Sequence, residues 1–291
     1  VQADAAGGIM ITASHNPADQ NGIKLFLPET GIKLFPAEEE EFTSLLYQNT
    51  SKPAKAKGTV FHREDEIREM IFNFFHEPFN SWKKEGDYNN ILLVVDSANG
   101  AFAEWTGHLL EKFNFRLVEE VGNNLGEDIN SNCGAGLYEG HKKIDSEFQS
   151  DKGTDFRKVE LIQALFRHGR ANREEIASGH LRVSGAAFDG DGDRFYGFEY
   201  DPFQDAVIVL SGDEVAFMQA CFIRDSLGED YNQVAEFVTT VESDIAVSVA
   251  AEEAGLIPVI SGVGDKWLLW EAWSSLLGMY WSALEAQSNN M

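Results

Sequence analysis

Short apolar runs alternate with amphipathic stretches along most of this chain. Gly7 to Ile11 is an apolar run that ends in the polar turn Ser14-His15-Asn16-Pro17, and Gly22 to Phe26 is a second short strand candidate. Glu38 to Tyr47 reads as a helix whose acidic residues crowd the first turn, where the macrodipole favours them. From Arg63 to Trp82 the apolar residues Ile67, Met70, Ile71, Phe74 and Phe75 recur at helical spacing. The basic stretch Ser51 to Gly58 reads as a loop, and Glu85 to Asn90 as a linker.

A new unit opens at Ile91-Leu92-Leu93-Val94-Val95, a continuous apolar run of the kind a strand buried on both faces requires. A polar turn at Asp96 to Gly100, a helix over Glu104 to Phe113 and a strand from Arg116 follow. That β–turn–α–β order predicts a mostly parallel α/β sheet. His141 to Arg182 is charged and mixed, with a helix predicted at Leu161 to Phe166, and reads as a candidate insertion. Ala186 to Phe188 leads into an acidic cluster at Asp189, and Phe195 to Tyr200 leads out. Beyond Asp201 the pattern predicts strands at Ala206 to Leu210, Ala235 to Val241 and Leu256 to Ile260. Helices are predicted over Asp213 to Asp225, Ser243 to Ala254 and Trp267 to Leu277, with Gly255 at a C-cap position. The class is α/β, and the chain divides into domains over 1–85, 86–200 and 201–291.

Composition narrows the function. Apolar residues make up 43% of 291, and no apolar run approaches the ~18 residues of a membrane span. With 23 Lys and Arg against 48 Asp and Glu, the formal charge is −25. A chain this acidic is repelled by nucleic-acid backbones and by anionic membranes, so neither is an expected partner. A phosphate ligand would need local cations and a metal to overcome that field. Two cysteines, Cys133 and Cys221, make no disulfide framework, and a reducing cytoplasm is the expected setting. No signal peptide is evident and the chain lacks an initiator Met, so a piece of a longer protein is expected.

Two clusters carry chemistry. In Asp189-Gly190-Asp191-Gly192-Asp193-Arg194, three carboxylates alternate with glycines, so the backbone can curl and aim their oxygens at one point. Hard cations such as Mg²⁺ take such oxygens together with a phosphate oxygen. An EF-hand loop does not fit, because Arg194 and Tyr200 stand where its Gly and bidentate Glu belong. Arg194 instead offers a fork for a phosphate beside the metal. In Thr12 to Pro17, Ser14 sits at a strand-to-turn junction, exposed enough to serve as nucleophile or phosphoryl carrier. Neighbours on an extended chain point apart, which places His15 poorly as a base for Ser14. Each cluster has a plain structural reading as well: a solvated acidic turn, and a serine cap before a proline.

The run TASHNPADQNGIK, Thr12 to Lys24, resembles the phosphoserine loop of the α-D-phosphohexomutases, and DGDGDR, Asp189 to Arg194, resembles that family's metal loop. The resemblance implies consecutive mixed-sheet α/β domains and an intramolecular phosphotransferase. It makes Ser14 the phosphoryl carrier and a metal ligand, Asp189, Asp191 and Asp193 the Mg²⁺ ligands, and His15 a neighbour of the carrier. Lys24 becomes the candidate general base, and Lys24 and Arg194 contact the substrate. One Mg²⁺, a phosphoserine and an activating sugar 1,6-bisphosphate are implied, with small sugar phosphates as partners.

Asp128 to Ala135, DINSNCGA, resembles a segment of the phosphoglucosamine mutase branch, as do Gly31-Ile32-Lys33-Leu34 and Val263-Gly264-Asp265-Lys266. Asp265 thereby joins the substrate-binding candidates, and Cys133 reads as packed within its motif. The sugar-reading loop departs from the family pattern: Glu285 and Ser288 are its counterparts, with one extra residue between them and Asn289 where Gly is expected. The resemblance leaves the start of the family's first domain and its fourth domain outside the chain. Phosphomannomutase or phosphoglucomutase activity, a non-catalytic sugar-phosphate-binding relative, and a phosphatase with Asp189 as nucleophile are the alternatives. The last leaves the Thr12 to Lys24 motif without a role.

Overall fold

A computed structural model describes residues 5–28, 30–48, 58–77, 88–110, 113–227 and 235–274. Chain contacts fall into two units, one of 11–23 and 53–215, the other of 1–10, 24–52 and 216–291.

The first of these units is built on a six-stranded mixed sheet. Its strands are β3 (Ile91–Asp96), β4 (Leu117–Val121), β5 (Lys143–Ile144), β6 (Arg182–Phe188), β7 (Phe195–Asp201) and β8 (Ala206–Leu210), in the spatial order β4-β3-β6-β7-β8-β5. β4, β3 and β6 run parallel, and β7, β8 and β5 continue antiparallel. The buried β3 lies between two parallel neighbours, as its unbroken apolar run requires. Its pairing sets Asp96 level with both Val121 and Ala187, so three parallel strands end side by side.

The crossover from β3 to β4 carries α3 (Thr106–Leu110), and that from β4 to β6 carries α4 (Glu160–Ala171) and α5 (Arg173–Ala177). β3 connects onward to β4 on one side of the sheet order, whereas β6 connects onward to β7 on the other. The carboxyl ends of β3 and β6 therefore form a topological switch point, where loops diverge and leave a crevice.

The candidate insertion at His141 to Arg182 is integral to this unit. α4 lays Leu161, Ile162, Leu165 and Phe166 onto the sheet, and Phe156 and Ile144 join the same core. The charges that gave the stretch a mixed look occupy its outer face, as on Arg167 and Arg170. α2 (Glu64–His76) forms within the predicted Arg63 to Trp82 stretch, of which 78–82 lies outside the described residues, and Ile67, Met70, Phe74 and Phe75 stay about half exposed.

The other unit holds a parallel pair, β9 (Glu236–Thr240) and β10 (Ile257–Ser261), joined by α7 (Ile245–Glu253). Phe237, Val247, Ala251 and Leu256 form its small core. α7 ends as predicted: Gly255 takes a φ of +82°, its N–H reaches Glu252, and the N–H of Leu256 reaches back to Ala251. This is the Schellman pattern, which favours glycine at the left-handed position. α1 (Pro36–Gln48) and α8, over 265–274, belong to the same unit. Phe35 meets the edges of Trp267 and Trp270 at 5.7 and 5.4 Å, which ties the start of α1 to α8.

β1 (Gly8–Ile11) and β2 (Ile23–Phe26) pair as a two-stranded ribbon, and α6 (Gly212–Leu227) follows β8. No described helix is long and apolar enough to cross a membrane.

Candidate active site

The acidic cluster begins one residue after β6, at the switch point, and the turn after β3 packs against it. The N–H of Ala101 donates to the Gly190 carbonyl at 2.8 Å. This approach leaves no room for side chains: a Cβ on Gly100 would lie 2.2 Å from the Gly190 oxygen, and one on Gly190 2.5 Å from Ile129 Cδ1. The two glycines are thus fixed by crowding.

Asp189 is almost fully buried, at 1% exposure. Its Oδ1 accepts the N–H groups of Gly192 and Arg194 at 3.1 and 3.0 Å, and its Oδ2 accepts the Ser14 hydroxyl at 2.6 Å. The Arg194 guanidinium stands 4.0 Å away, half exposed. Two backbone donors thus hold the buried carboxylate, and its other oxygen is committed to the serine.

Thr12 supplies a second tie. Its hydroxyl donates to Asp191 Oδ2 at 3.0 Å and accepts the Ser14 N–H at 2.9 Å. The turn between Ala13 and Asn16 closes at 3.1 Å, and Ser14 adopts a φ of 56°, in the left-handed region costly for an ordinary residue. That strain aims Oγ at Asp189.

Ligand oxygens of Asp189, Asp191 and Asp193 lie within 4.8 Å of one another. Three carboxylates so close repel one another unless a cation or proton intervenes, and all-oxygen donors suit a hard divalent ion such as Mg²⁺. The residues present therefore fit the metal that the sequence implies.

His15 packs beside Gly136, and its Nδ1 is buried with no hydrogen-bond partner among the described residues. Lys24 lies on β2 and belongs to the other unit, so its role rests on the resemblance. In that same unit, Asp265 accepts Lys33 Nζ at 2.6 Å, and Lys266 donates to the Leu34 carbonyl at 2.9 Å and to Glu39 at 2.7 Å. The Gly31 to Leu34 and Val263 to Lys266 segments, paired in the sequence reading as branch markers, are thereby joined. Glu285 and Ser288 lie outside the described residues.

Cys133 is buried, and desolvation with the nearby Asp96 charge pushes its thiol up to about 12. The thiol is packed, as its motif implied, in the kind of apolar setting that suppresses thiolate formation. Thr12 and Asn130 carry more of the site's geometry than sequence reasoning assigned to them. Asn130 Nδ2 donates to the carbonyls of Ser14 and Asn16 at 2.8 and 3.0 Å. The signal for it was an Asn in a turn-rich segment, a residue type that tolerates the left-handed backbone.

Comparison with known proteins bears on this arrangement. Residues 1–53 match the family model described as phosphoglucomutase/phosphomannomutase, alpha/beta/alpha domain I. A phosphoglucosamine mutase from Shouchella clausii is 27% identical over 93% of this chain and 51% of its own length. The chain is similar to the phosphoglucomutase/phosphomannomutase family in these matches.

It spans about half the length of the curated phosphohexomutases it matches. Its fold is shared with two Aspergillus fumigatus structures. One is an N-acetylphosphoglucosamine mutase in complex with GlcNAc-6P and magnesium, 16% identical with a TM-score of 0.51, over 92% of this chain and 59% of that one. The other is a variant of that mutase in complex with glucose 1,6-bisphosphate, 18% identical with a TM-score of 0.54, over 90% and 56% respectively. The α/β class and the mixed-sheet architecture expected of a phosphohexomutase are both present.

Proposed function

We propose that the protein is a phosphohexomutase that interconverts a hexose 6-phosphate and a hexose 1-phosphate, with a glucosamine phosphate as the favoured sugar. One observation carries this: the Ser14 hydroxyl is held 2.6 Å from Asp189 within a cluster of three carboxylates. A capping serine does not need a strained backbone aimed at a cation site, whereas a phosphoryl carrier does. The names of the matched relatives and the Asp128 to Ala135 segment support glucosamine as the sugar.

In the reaction, a sugar hydroxyl oxygen attacks the phosphorus carried on Ser14 in line. A P–O bond to the sugar forms as the P–Oγ bond breaks, which yields a sugar bisphosphate. The hydroxyl proton passes to a base, for which the resemblance nominates Lys24. Oγ then attacks the other phosphoryl group, whose P–O bond to the sugar breaks as the P–Oγ bond forms. The released sugar oxygen takes the proton back from the base, which leaves the isomeric monophosphate and restores the carrier. Mg²⁺, when bound by Asp189, Asp191 and Asp193 with the group on Ser14, supplies charge neutralisation. Arg194 presents a half-exposed guanidinium to phosphate, and His15 lies beside the carrier. Asp265, Glu285 and Ser288 complete the proposed substrate contacts. The reading retains three domains over 1–85, 86–200 and 201–291, and a cytoplasmic setting with small sugar phosphates, not nucleic acid or membrane, as partners. The charge of −25 and the two cysteines support that setting.

The test is the intact mass of the protein before and after a hexose 1,6-bisphosphate and Mg²⁺, with Ser14→Ala alongside. One phosphoryl group is expected on the wild type and none on the variant. No added mass on a folded, Mg²⁺-binding protein would favour a non-catalytic sugar-phosphate-binding relative.

A further inference from the structure

Two backbone carbonyls of the Ser14 turn are held by the side chain of Asn130. Its Nδ2 spends both hydrogens on them, one on the carrier's own carbonyl at 2.8 Å and one on the Asn16 carbonyl at 3.0 Å. The Ser14 carbonyl is confined on another side by Gly190, where an added Cβ would come within 2.8 Å of it. Asn130 Oδ1 is buried with no hydrogen-bond partner among the described residues, so the side chain forgoes one bond to keep the other two. Rotating the amide would set an oxygen against two carbonyl oxygens.

The holder is itself anchored. Asn130 has a φ of 58°, and its N–H donates to the Ala98 carbonyl at 2.9 Å. Ala98 and Gly134 in turn donate their N–H groups to the two oxygens of Asp96, at 2.9 and 2.7 Å. A chain of short bonds thus runs from the end of β3, through Asn130, to the backbone of Ser14. It lies within a single unit and ends at the residue whose strained φ aims Oγ at Asp189.

We propose that Asn130 is a positioning residue for phosphoryl transfer: its amide fixes the Ser14 turn so that Oγ stands in line with the transferred phosphorus. This rests on the reading of Ser14 as the phosphoryl carrier. Asn130 acts through the loop backbone, since its amide bonds the Ser14 carbonyl and not Oγ. Misplacing a reacting oxygen by about 1 Å costs on the order of 100-fold in rate.

The test measures single-turnover phosphoryl uptake from a hexose 1,6-bisphosphate with Mg²⁺, by intact mass against time and donor concentration. Asn130→Gly keeps the left-handed backbone and deletes the amide, and Asn130→Asp keeps the shape and deletes both donors. The maximal rate is expected to fall about 10- to 100-fold in each, with the half-saturating donor concentration within about 2-fold of wild type. A merely structural loss would instead lower the melting temperature and the phosphorylatable fraction, and leave the rate of the folded fraction intact. That result, or a wild-type rate in Asn130→Gly, would overturn the proposal. If Asn130→Asp fails to fold, Asn130→Gly decides alone. A wild type that takes up no phosphoryl group would refute the carrier reading itself, an outcome visible before any variant is made.

Discussion

Ser14 Oγ and Asp189 Oδ2 are 175 residues apart in sequence and 2.6 Å apart in space. Asp189 cannot turn away from the serine without giving up the N–H groups of Gly192 and Arg194. Removing its charge should weaken the cation site more than the fold. For Asp189→Asn, Mg²⁺ affinity measured by calorimetry is expected to drop at least ~10-fold, the scale of losing a metal-site partner. Unchanged affinity would remove Asp189 from the proposed ligand set.

Crowding at Gly190 gives a test independent of chemistry. A methyl group there would meet Ile129 at 2.5 Å and the Ser14 carbonyl at 2.8 Å, and the second contact is backbone that cannot swing aside. Gly190→Ala is expected to cost about 1–3 kcal/mol, the range for overpacking, seen as a lower midpoint in denaturant. Wild-type stability would mean that the two loops are not packed as described.

Asp96 should make stability depend on pH. Burial pushes its carboxyl up from 3.8 to about 6, despite the N–H groups of Gly134 and Ala98 that favour the charged form. A group whose pKa is higher folded than unfolded binds more protons in the native state, so its contribution is full below pH 3.8 and is lost as pH rises through about 6. At about 1.4 kcal/mol per tenfold change, this amounts to roughly 3 kcal/mol as an upper bound. Asp96→Asn is expected to flatten that part of the stability profile relative to wild type, measured by denaturant unfolding between pH 4 and 7. Identical profiles would show that Asp96 is not the titrating group.

The cysteines should differ in reactivity. Cys133 is buried with its thiol pushed up to about 12, whereas Cys221 is partly exposed. Native protein treated with an alkylating reagent at neutral pH is expected to modify Cys221 first and Cys133 only on unfolding. Rapid labelling of Cys133 would show that its loop opens readily.

Much of this was readable along the chain. The apolar run at Ile91 to Val95 predicted a strand buried on both faces, and it became the strand flanked by parallel neighbours. Gly255 predicted the end of α7, because a positive φ suits a residue without a Cβ. DGDGDR predicted a convergence of carboxylates, because alternating glycines let a short segment curl. Other features were not readable. The stretch from His141 to Arg182 looked like an insertion because its helix shows charge on one face, and only docking on the sheet reveals the apolar face as core. The apolar face of α2 was legible, but not that it would stay half exposed.

The division has a physical cause. Local periodicity, turn chemistry and the residue types at Ser14 and Asp189 to Arg194 are properties of neighbouring residues, so the sequence by itself determined most of the strands and helices, though not β5 or α5, and the residue types available for chemistry. Which loops meet depends on strand order, and strand order is set by the burial of whole faces. Tertiary structure alone decided that the ends of β3 and β6 would lie side by side, that Thr12 would reach Asp191, and that Asn130 would hold the carbonyl of Ser14 across 116 residues. These bonds join groups that no local pattern relates, and they form only because packing of the sheet brings their loops to one edge.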